Sequence, residues 1–154
     1  RPEEAYGIEV TNELGQQIEA DVRAIKAKSP DDVAAVVADN FAGGLDFVLI
    51  DGGHTSPQQK LDFEICKSVA NEDCVYIFHD VINFRMVDGF VEIANSNDHL
   101  ASSLLFRTPS GMAISYPHKF AEALAPIITA FTESDDRIKA LHQEGRENIA
   151  AAKD

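Results

Sequence analysis

Residues 45–54 read LDFVLIDGGH, and the predicted architecture of the chain follows from them. Four consecutive apolar residues, Phe47 to Ile50, run into an acid, two glycines and a histidine. An unbroken apolar run of this kind is typical of a strand that is buried on both faces and presents polar groups at its carboxyl end. We therefore expect the chemistry of the protein at that end.

The same pattern recurs at residues 74–80, which read CVYIFHD. Two candidate parallel strands thus end in an Asp with a His close by: Asp51 with His54, and Asp80 with His79. Open α/β sheets bind ligands at the carboxyl edge of their strands. Because a right-handed crossover brings the carboxyl ends of parallel neighbours together, Asp51, His54 and Asp80 should converge at one edge of the sheet.

Two Ser-Pro pairs predict helix starts. Ser29 would cap a helix that has Pro30 in its first turn and runs to about Phe41. Ser56 would cap a crossover helix between the two buried strands, with Gln59 completing a capping box. Apolar residues recur in this second helix at helical spacing, at Leu61, Ile65 and Val69.

The remaining elements complete an α/β pattern. They are an opening strand at residues 5–10, helices at 87–94 and 120–131, and two strands at 104–108 and 112–116. The last two strands predict a hairpin with Gly111 in the left-handed conformation. The predicted fold is α/β and doubly wound, with a mostly parallel sheet that ends in an antiparallel hairpin.

Composition narrows the class of partner. The 154 residues carry a formal net charge of -13, which argues against nucleic acids and anionic membranes because basic clusters bind those. No apolar run approaches the ~20 residues that span a bilayer. Cys66 and Cys74 lack the CxxC spacing of zinc and redox sites, so we expect them to be reduced thiols. We predict a cytoplasmic protein that acts on a small molecule, and the prediction allows a homo-oligomer.

The ordered motifs resemble the later two-thirds of a class I S-adenosylmethionine-dependent methyltransferase of the small-molecule O-methyltransferase type. The resemblance covers roughly residues 6–116 and rests on DFVLIDGGH at 46–54, FHD at 78–80 and TPSG at 108–111. It implies a Rossmann-like methyltransferase domain.

The resemblance places that domain at residues 1–117, with residues 118–154 as a helical extension of the same domain. The first strand and Gly-rich cofactor turn of the family have no counterpart here. We therefore expect a longer native chain whose upstream segment supplies them.

The resemblance also implies a cofactor site for S-adenosylmethionine. Glu9 would bind its ribose hydroxyls, and Ser29 would lie against its adenine. Asp51 and Gly52 would lie beside its methionine part. A carboxylate suits the ribose because it accepts two hydrogen bonds. An ordinary solvated acid is the competing interpretation of Glu9.

The catalytic residues predicted are His54 and Asp80. An unperturbed imidazole has a pKa of ~6.5, which suits a general base near neutral pH. A loop histidine bonded to a backbone carbonyl is the alternative for His54. His79 is a second-choice base or ligand, and His99, His118 and His142 receive no site role.

A divalent ion is expected on Asp51 and Asp80, with Mg²⁺ or Ca²⁺ favoured over zinc because carboxylates dominate the candidate ligands. Helix capping is the alternative role for these acids. Val81 stands where metal-dependent members of the family carry Asn or Asp, so a metal-independent enzyme is the alternative.

Taken together, the resemblance implies an enzyme that transfers a methyl group to a hydroxyl oxygen of a small molecule. Two alternatives remain open. One is a non-catalytic methyltransferase-like interaction domain, and the other is a different α/β nucleotide-binding enzyme. Binding of S-adenosylhomocysteine separates the first of these from the enzyme.

Overall fold

The computed structural model describes residues 25–132. Their elements are α1 (Val33–Asn40), β1 (Leu45–Ile50), α2 (Ser56–Ser68), β2 (Ala70–Phe78), α3 (Val87–Asn95), β3 (Leu100–Leu105), β4 (Met112–Pro117), a 3₁₀ turn (His118–Phe120) and α4 (Ala121–Phe131). Among these helices, none is both long and apolar enough to cross a bilayer. The predicted opening strand and Glu9 lie outside the described residues.

Four strands form one sheet in the order β1-β2-β4-β3. β1 and β2 are parallel, and Ile50 pairs with Phe78 at their carboxyl ends. β4 is antiparallel to both β2 and β3. The predicted parallel pair and the terminal hairpin are therefore confirmed, but the first strand of the hairpin spans Leu100–Leu105 and not residues 104–108. A mostly parallel sheet is wrong for residues 25–132, because α2 is the one crossover there that links neighbouring strands. The doubly wound arrangement stays a prediction.

Helices pack on both faces of the sheet. On one face, α2 and α3 supply Phe63 and Phe90, whose rings contact the fully buried Phe78 at centroid distances of 5.8 and 5.2 Å. On the other face, Leu124 and Ile128 of α4 pack against strand residues that include Ile114. Two apolar layers thus hold β2 and β4 from both sides.

The strand β1 has one buried and one exposed face. Val48 and Ile50 are 8% and 7% exposed, whereas Phe47 and Leu49 are 61% and 53% exposed. The expectation that this strand is buried on both faces is wrong for the described chain. Phe47 and Leu49 are exposed because α4 packs against β3, so no element within residues 25–132 covers the outer face of β1.

The helix α1 begins three residues later than the sequence predicts. Asp32 is its N-cap residue, and Val33 is its first helical residue. The hydroxyl of Ser29 donates to the carboxylate of Asp62 on α2, and α1 has no side-chain hydrogen bond at its N-cap. A tertiary contact has replaced the predicted local one.

The crossover helix α2 is confirmed, but its cap and its buried face differ from the prediction. The hydroxyl of Thr55 accepts a hydrogen bond from the backbone N–H of Gln58 at 3.3 Å, so Thr55 is the cap instead of Ser56. Gln59, which was expected to close a capping box, is 2% exposed. Leu61 is 54% exposed, because α2 buries Gln59, Asp62 and Phe63 instead.

Both cysteines are free thiols in the described part of the chain. Burial, with a smaller contribution from the Asp62 carboxylate, raises the pKa of Cys66 to about 11. Burial likewise raises the pKa of Cys74. Because the thiolate is the reactive form, neither cysteine is suited to nucleophilic chemistry at neutral pH.

Candidate functional site

The site lies where β1 and β2 end. Beyond the last paired residues, the backbone N–H of His79 donates to the carbonyl of Ile50 at 3.0 Å. The segments that follow the two strands therefore leave the sheet side by side. Asp51 follows one strand directly, and Asp80 follows the other after a single residue. Parallel pairing therefore places both carboxylates at one edge of the sheet, as expected.

Three predicted site residues come together at this edge. Asp51, His54 and Asp80 each offer one ligand atom, and these atoms lie within 4.8 Å of one another. The His54 Nε2 atom is 3.3 Å from Oδ2 of Asp80 and 3.8 Å from Oδ1 of Asp51. A base, two acids and a potential cation site thus occupy one small volume.

His79 joins the same cluster from the end of β2. Its Nδ1 atom is 3.1 Å from Oδ1 of Asp51 and 3.5 Å from Oδ2 of Asp80. Nδ1 is inaccessible to solvent and makes no hydrogen bond among the described residues, so the two short contacts lack hydrogen-bond alignment. His79, a second choice from sequence, is placed as centrally as His54.

The turn between β3 and β4 packs against this cluster. The Oγ atom of Ser110 lies 3.0 Å from Nε2 of His79. The backbone N–H groups of Ile82 and Asn83 donate to the carbonyls of Gly111 and Ser110, at 3.2 and 3.4 Å. These bonds hold the turn against the loop that follows β2. Sequence reasoning missed Ser110 because the contact joins segments 31 residues apart.

The backbone at Asp80 is left-handed, with φ of 56°. The Nδ2 atom of Asn83 donates to Oδ1 of Asp80 at 3.2 Å, which supports this conformation. Val81 is fully buried, so the residue after Asp80 anchors the loop in the core. Unusual backbone conformations cluster at functional sites, where the surrounding structure enforces them.

An aromatic ring lies beside the candidate base. Phe84 stacks on the imidazole of His54, with ring centroids 4.0 Å apart and an interplanar angle of 25°. Phe84 and Ile82 are 49% and 36% exposed, so they form an apolar surface next to the polar cluster. Sequence reasoning missed this surface, although two apolar residues, Ile82 and Phe84, stand close together in the loop after Asp80.

The predicted cofactor residues Ser29 and Gly52 meet at Asp62, a residue that sequence reasoning missed. Asp62 is 5% exposed, and its Oδ1 accepts hydrogen bonds from the Ser29 hydroxyl and from Nε2 of Gln58, the latter at 2.9 Å. A Cβ atom at Gly52 would lie 2.9 Å from Oδ2 of Asp62. Asp62 therefore fixes the loop before α1 and leaves little room for a Cβ atom at the position after Asp51.

Comparisons with known proteins identify one family. A family model described as a methyltransferase domain matches residues 3–81, a range that includes both strand ends. No curated protein and no solved structure matches the chain. The match supports methyl transfer as the general activity. Because it spans just over half of the 154 residues, the chain belongs to the methyltransferase domain family.

Proposed function

We propose that the protein transfers a methyl group from S-adenosylmethionine to a hydroxyl oxygen of a small-molecule acceptor. The family match supports methyl transfer in general. The observation that carries the finer proposal is the convergence of Asp51, His54 and Asp80 at the carboxyl edge of two parallel strands. Ligands of open α/β sheets bind at this edge.

His54 acts as the general base in this proposal. S-adenosylmethionine supplies a methyl group on a positively charged sulfur. The acceptor oxygen forms a bond to the methyl carbon, the carbon–sulfur bond breaks, and its electron pair returns to sulfur. Nε2 of His54 takes the hydroxyl proton, and the Asp80 carboxylate at 3.3 Å stabilises the resulting imidazolium.

The cofactor-binding roles are assigned to four residues. Asp51 and Gly52 would lie beside the methionine part of the cofactor, with Gly52 giving close access to the backbone. The loop at Ser29, which Asp62 fixes, would lie against the adenine. Glu9 would bind the ribose hydroxyls, and it lies outside the described residues.

A divalent cation on Asp51 and Asp80 fits the site. Two carboxylates that share contacts with the same imidazoles repel each other, and a cation between them would offset that repulsion. Such an ion would polarise the acceptor hydroxyl and ease the loss of its proton. The two carboxylates alone would favour Mg²⁺.

The surface beside His54 indicates the shape of the acceptor. Phe84 is stacked on the imidazole and half-exposed, and Ile82 continues the apolar surface. Aromatic and aliphatic side chains around a few polar groups are typical of small-molecule sites. We expect an acceptor with a planar or apolar body that places its hydroxyl near Nε2 of His54.

Calorimetric titration with S-adenosylhomocysteine tests the proposal on the full chain. We expect binding, and we expect Asp51→Asn to weaken it by about tenfold, the loss of one charge-assisted hydrogen bond. Asp98→Asn is the matched control, because Asp98 is an exposed acid in the turn before β3, at the opposite edge of the sheet. The absence of both a heat signal and a thermal shift would favour the non-catalytic interaction domain. Binding of another nucleotide instead would favour the other enzyme class.

A further inference from the structure

The spacing around Nδ1 of His79 suits a shared metal ion. Nδ1 is 3.1 Å from a carboxylate oxygen of Asp51 and 3.5 Å from one of Asp80. Protein ligands bind divalent transition metals at about 2.0–2.2 Å, so neighbouring donors on one ion lie roughly 3 to 3.5 Å apart at tetrahedral or octahedral angles. Nδ1 of His79 therefore has the spacing from each of these two oxygens that is expected of donors to a single ion.

The hydrogen bond at the other side of the ring sets the tautomer of His79. Nδ1 is inaccessible to solvent and makes no hydrogen bond within residues 25–132, so a proton there would be a buried donor without an aligned acceptor. Nε2 lies 3.0 Å from Ser110 Oγ, and Ser110 is itself buried. The tautomer able to bind a metal thus has Nε2–H donating to Ser110, which leaves the Nδ1 lone pair free beside the carboxylates.

A lone pair facing two anionic carboxylates is unfavourable unless a cation lies between them. Metal-bound histidines typically donate their second ring N–H to a neighbouring group, which fixes the ring and the tautomer. The contact between His79 and Ser110 has this arrangement, and it comes from a different part of the chain than the two acids.

We propose that His79 is the third protein ligand of the cation at Asp51 and Asp80, and that Ser110 is the positioning residue that holds it in the coordinating tautomer. The location rests on the proposed function. Val81, which follows Asp80, is fully buried and has no side-chain donor atom, so it cannot be a ligand. His79, which precedes Asp80, supplies a nitrogen donor instead. His54 stacks on Phe84 and stays available for the acceptor proton.

This donor set changes the expected ion. Two carboxylates alone favour Mg²⁺ or Ca²⁺, but imidazole nitrogen suits divalent transition metals such as Zn²⁺, Fe²⁺ and Co²⁺. One imidazole and two carboxylates leave coordination positions open for solvent and for the acceptor oxygen. The site is therefore assigned to a divalent transition metal in preference to Mg²⁺.

Titration of the chelator-treated full chain with Co²⁺ and with Mg²⁺ tests this assignment. Co²⁺ binding is followed by its visible d–d absorption, and Mg²⁺ binding by calorimetry. We expect Co²⁺ to bind at least about tenfold more tightly than Mg²⁺. His79→Gln should weaken Co²⁺ binding by at least about tenfold, and Ser110→Ala by about 10- to 100-fold. His54→Gln should change it less than about threefold, like the distant control His118→Gln.

Several outcomes would overturn the assignment. The first is that the protein does not bind Co²⁺, and the second is that it binds Mg²⁺ as tightly as Co²⁺. The third is that His54→Gln abolishes Co²⁺ binding while His79→Gln retains it. Circular dichroism verifies that each variant folds, and ring ¹⁵N shifts of His79 in the Zn²⁺-loaded protein should report the Nε2–H tautomer, which Ser110→Ala should disturb. S-adenosylhomocysteine is titrated into the same samples. Its binding without Co²⁺ binding refutes this inference alone, and Co²⁺ binding without it refutes the proposed function alone.

Discussion

Asp80 has a left-handed backbone conformation as well as a charge in the site. Asp, Asn and Gly tolerate this conformation, whereas other residues lose roughly 1 to 2 kcal/mol there. We expect Asp80→Asn to leave the free energy of unfolding within about 0.5 kcal/mol of the parent, and Asp80→Ala to lower it by about 1 kcal/mol or more.

Asp80→Gly separates the backbone from the side chain in this series, because glycine relieves the strain but loses the hydrogen bond from Asn83. Urea denaturation should rank the Gly variant above the Ala variant. If Ala is the more stable of the two, the conformation at Asp80 is not left-handed in solution.

Gln59 and Gln58 are adjacent on α2 but differ in their partners. The side chain of Gln59 is buried, and neither of its amide atoms has a hydrogen-bond partner in the described chain. Gln58 donates from Nε2 to the buried Asp62 carboxylate at 2.9 Å. A buried polar group without a partner costs about 1 to 3 kcal/mol, so Gln59→Met should be neutral or stabilising by about 1 kcal/mol.

Gln58→Met is the matched control, because the same substitution one residue earlier removes a hydrogen bond to a charged group. We expect it to destabilise the protein by about 1.5 to 3 kcal/mol in thermal or chemical unfolding. A larger loss from Gln59→Met than from Gln58→Met would show that the Gln59 amide has a partner in solution.

The sequence revealed the acids of the site more readily than their supports. Asp51 follows an apolar run directly and Asp80 follows one after a single residue, so strand periodicity alone places them at the sheet edge. Ser110 and Asp62 act through contacts with residues about 30 positions away, and no local pattern encodes such contacts. One of these contacts joins Ser110 to His79, so the central position of His79 is seen only in the folded structure.

The turn of the β3–β4 hairpin depends on Gly111. Its φ of 65° is left-handed, as the sequence predicted, and a Cβ atom there would lie 2.4 Å from Cβ of Ile82. Backbone strain and overpacking together predict that Gly111→Ala destabilises the protein by roughly 2 to 4 kcal/mol. Differential scanning calorimetry measures this loss, and the added Ile82→Ala should restore part of it.

Gly43→Ala is the control for that experiment. Gly43 has no positive φ, and nothing in the described chain lies within 4 Å of a Cβ added there. We expect a neutral effect, or a gain of about 0.4 to 1 kcal/mol from the reduced freedom of the unfolded chain. Equal losses at both glycines would contradict the close contact between the turn and Ile82.

Helix existence was easier to predict than helix ends and faces. The start of α1 was misplaced because Ser29 bonds to Asp62 instead of capping, a tertiary contact that overrides a local signal. The buried face of α2 was misplaced because the helix directs the polar Gln59 and Asp62 inward and leaves Leu61 exposed. Apolar spacing identifies a helix, but it does not identify which polar residues a site buries.

At the scale of the whole described region, residues 25–132, the sheet is well covered except at β1. Two helices cover one face, and α4 covers β3 and β4 on the other, so Phe47 and Leu49 remain exposed within residues 25–132. Exposed apolar side chains on an edge strand are a common feature of interaction surfaces. A homo-oligomer stays a prediction, and this face is the surface at which we now test it.

Paired substitutions in β1 decide whether that face is open in the native protein. Phe47→Thr and Val48→Thr keep a residue suited to strands, but Phe47 is 61% exposed and Val48 is 8% exposed. If the face is open, Phe47→Thr should change the free energy of unfolding by about 0.5 kcal/mol or less, whereas Val48→Thr should lower it by about 1 to 3 kcal/mol because it buries a hydroxyl. Sedimentation equilibrium on the same samples completes the comparison. A loss at Phe47 as large as that at Val48 would mean that the face is covered, and a simultaneous shift from dimer to monomer would identify a second copy as the cover.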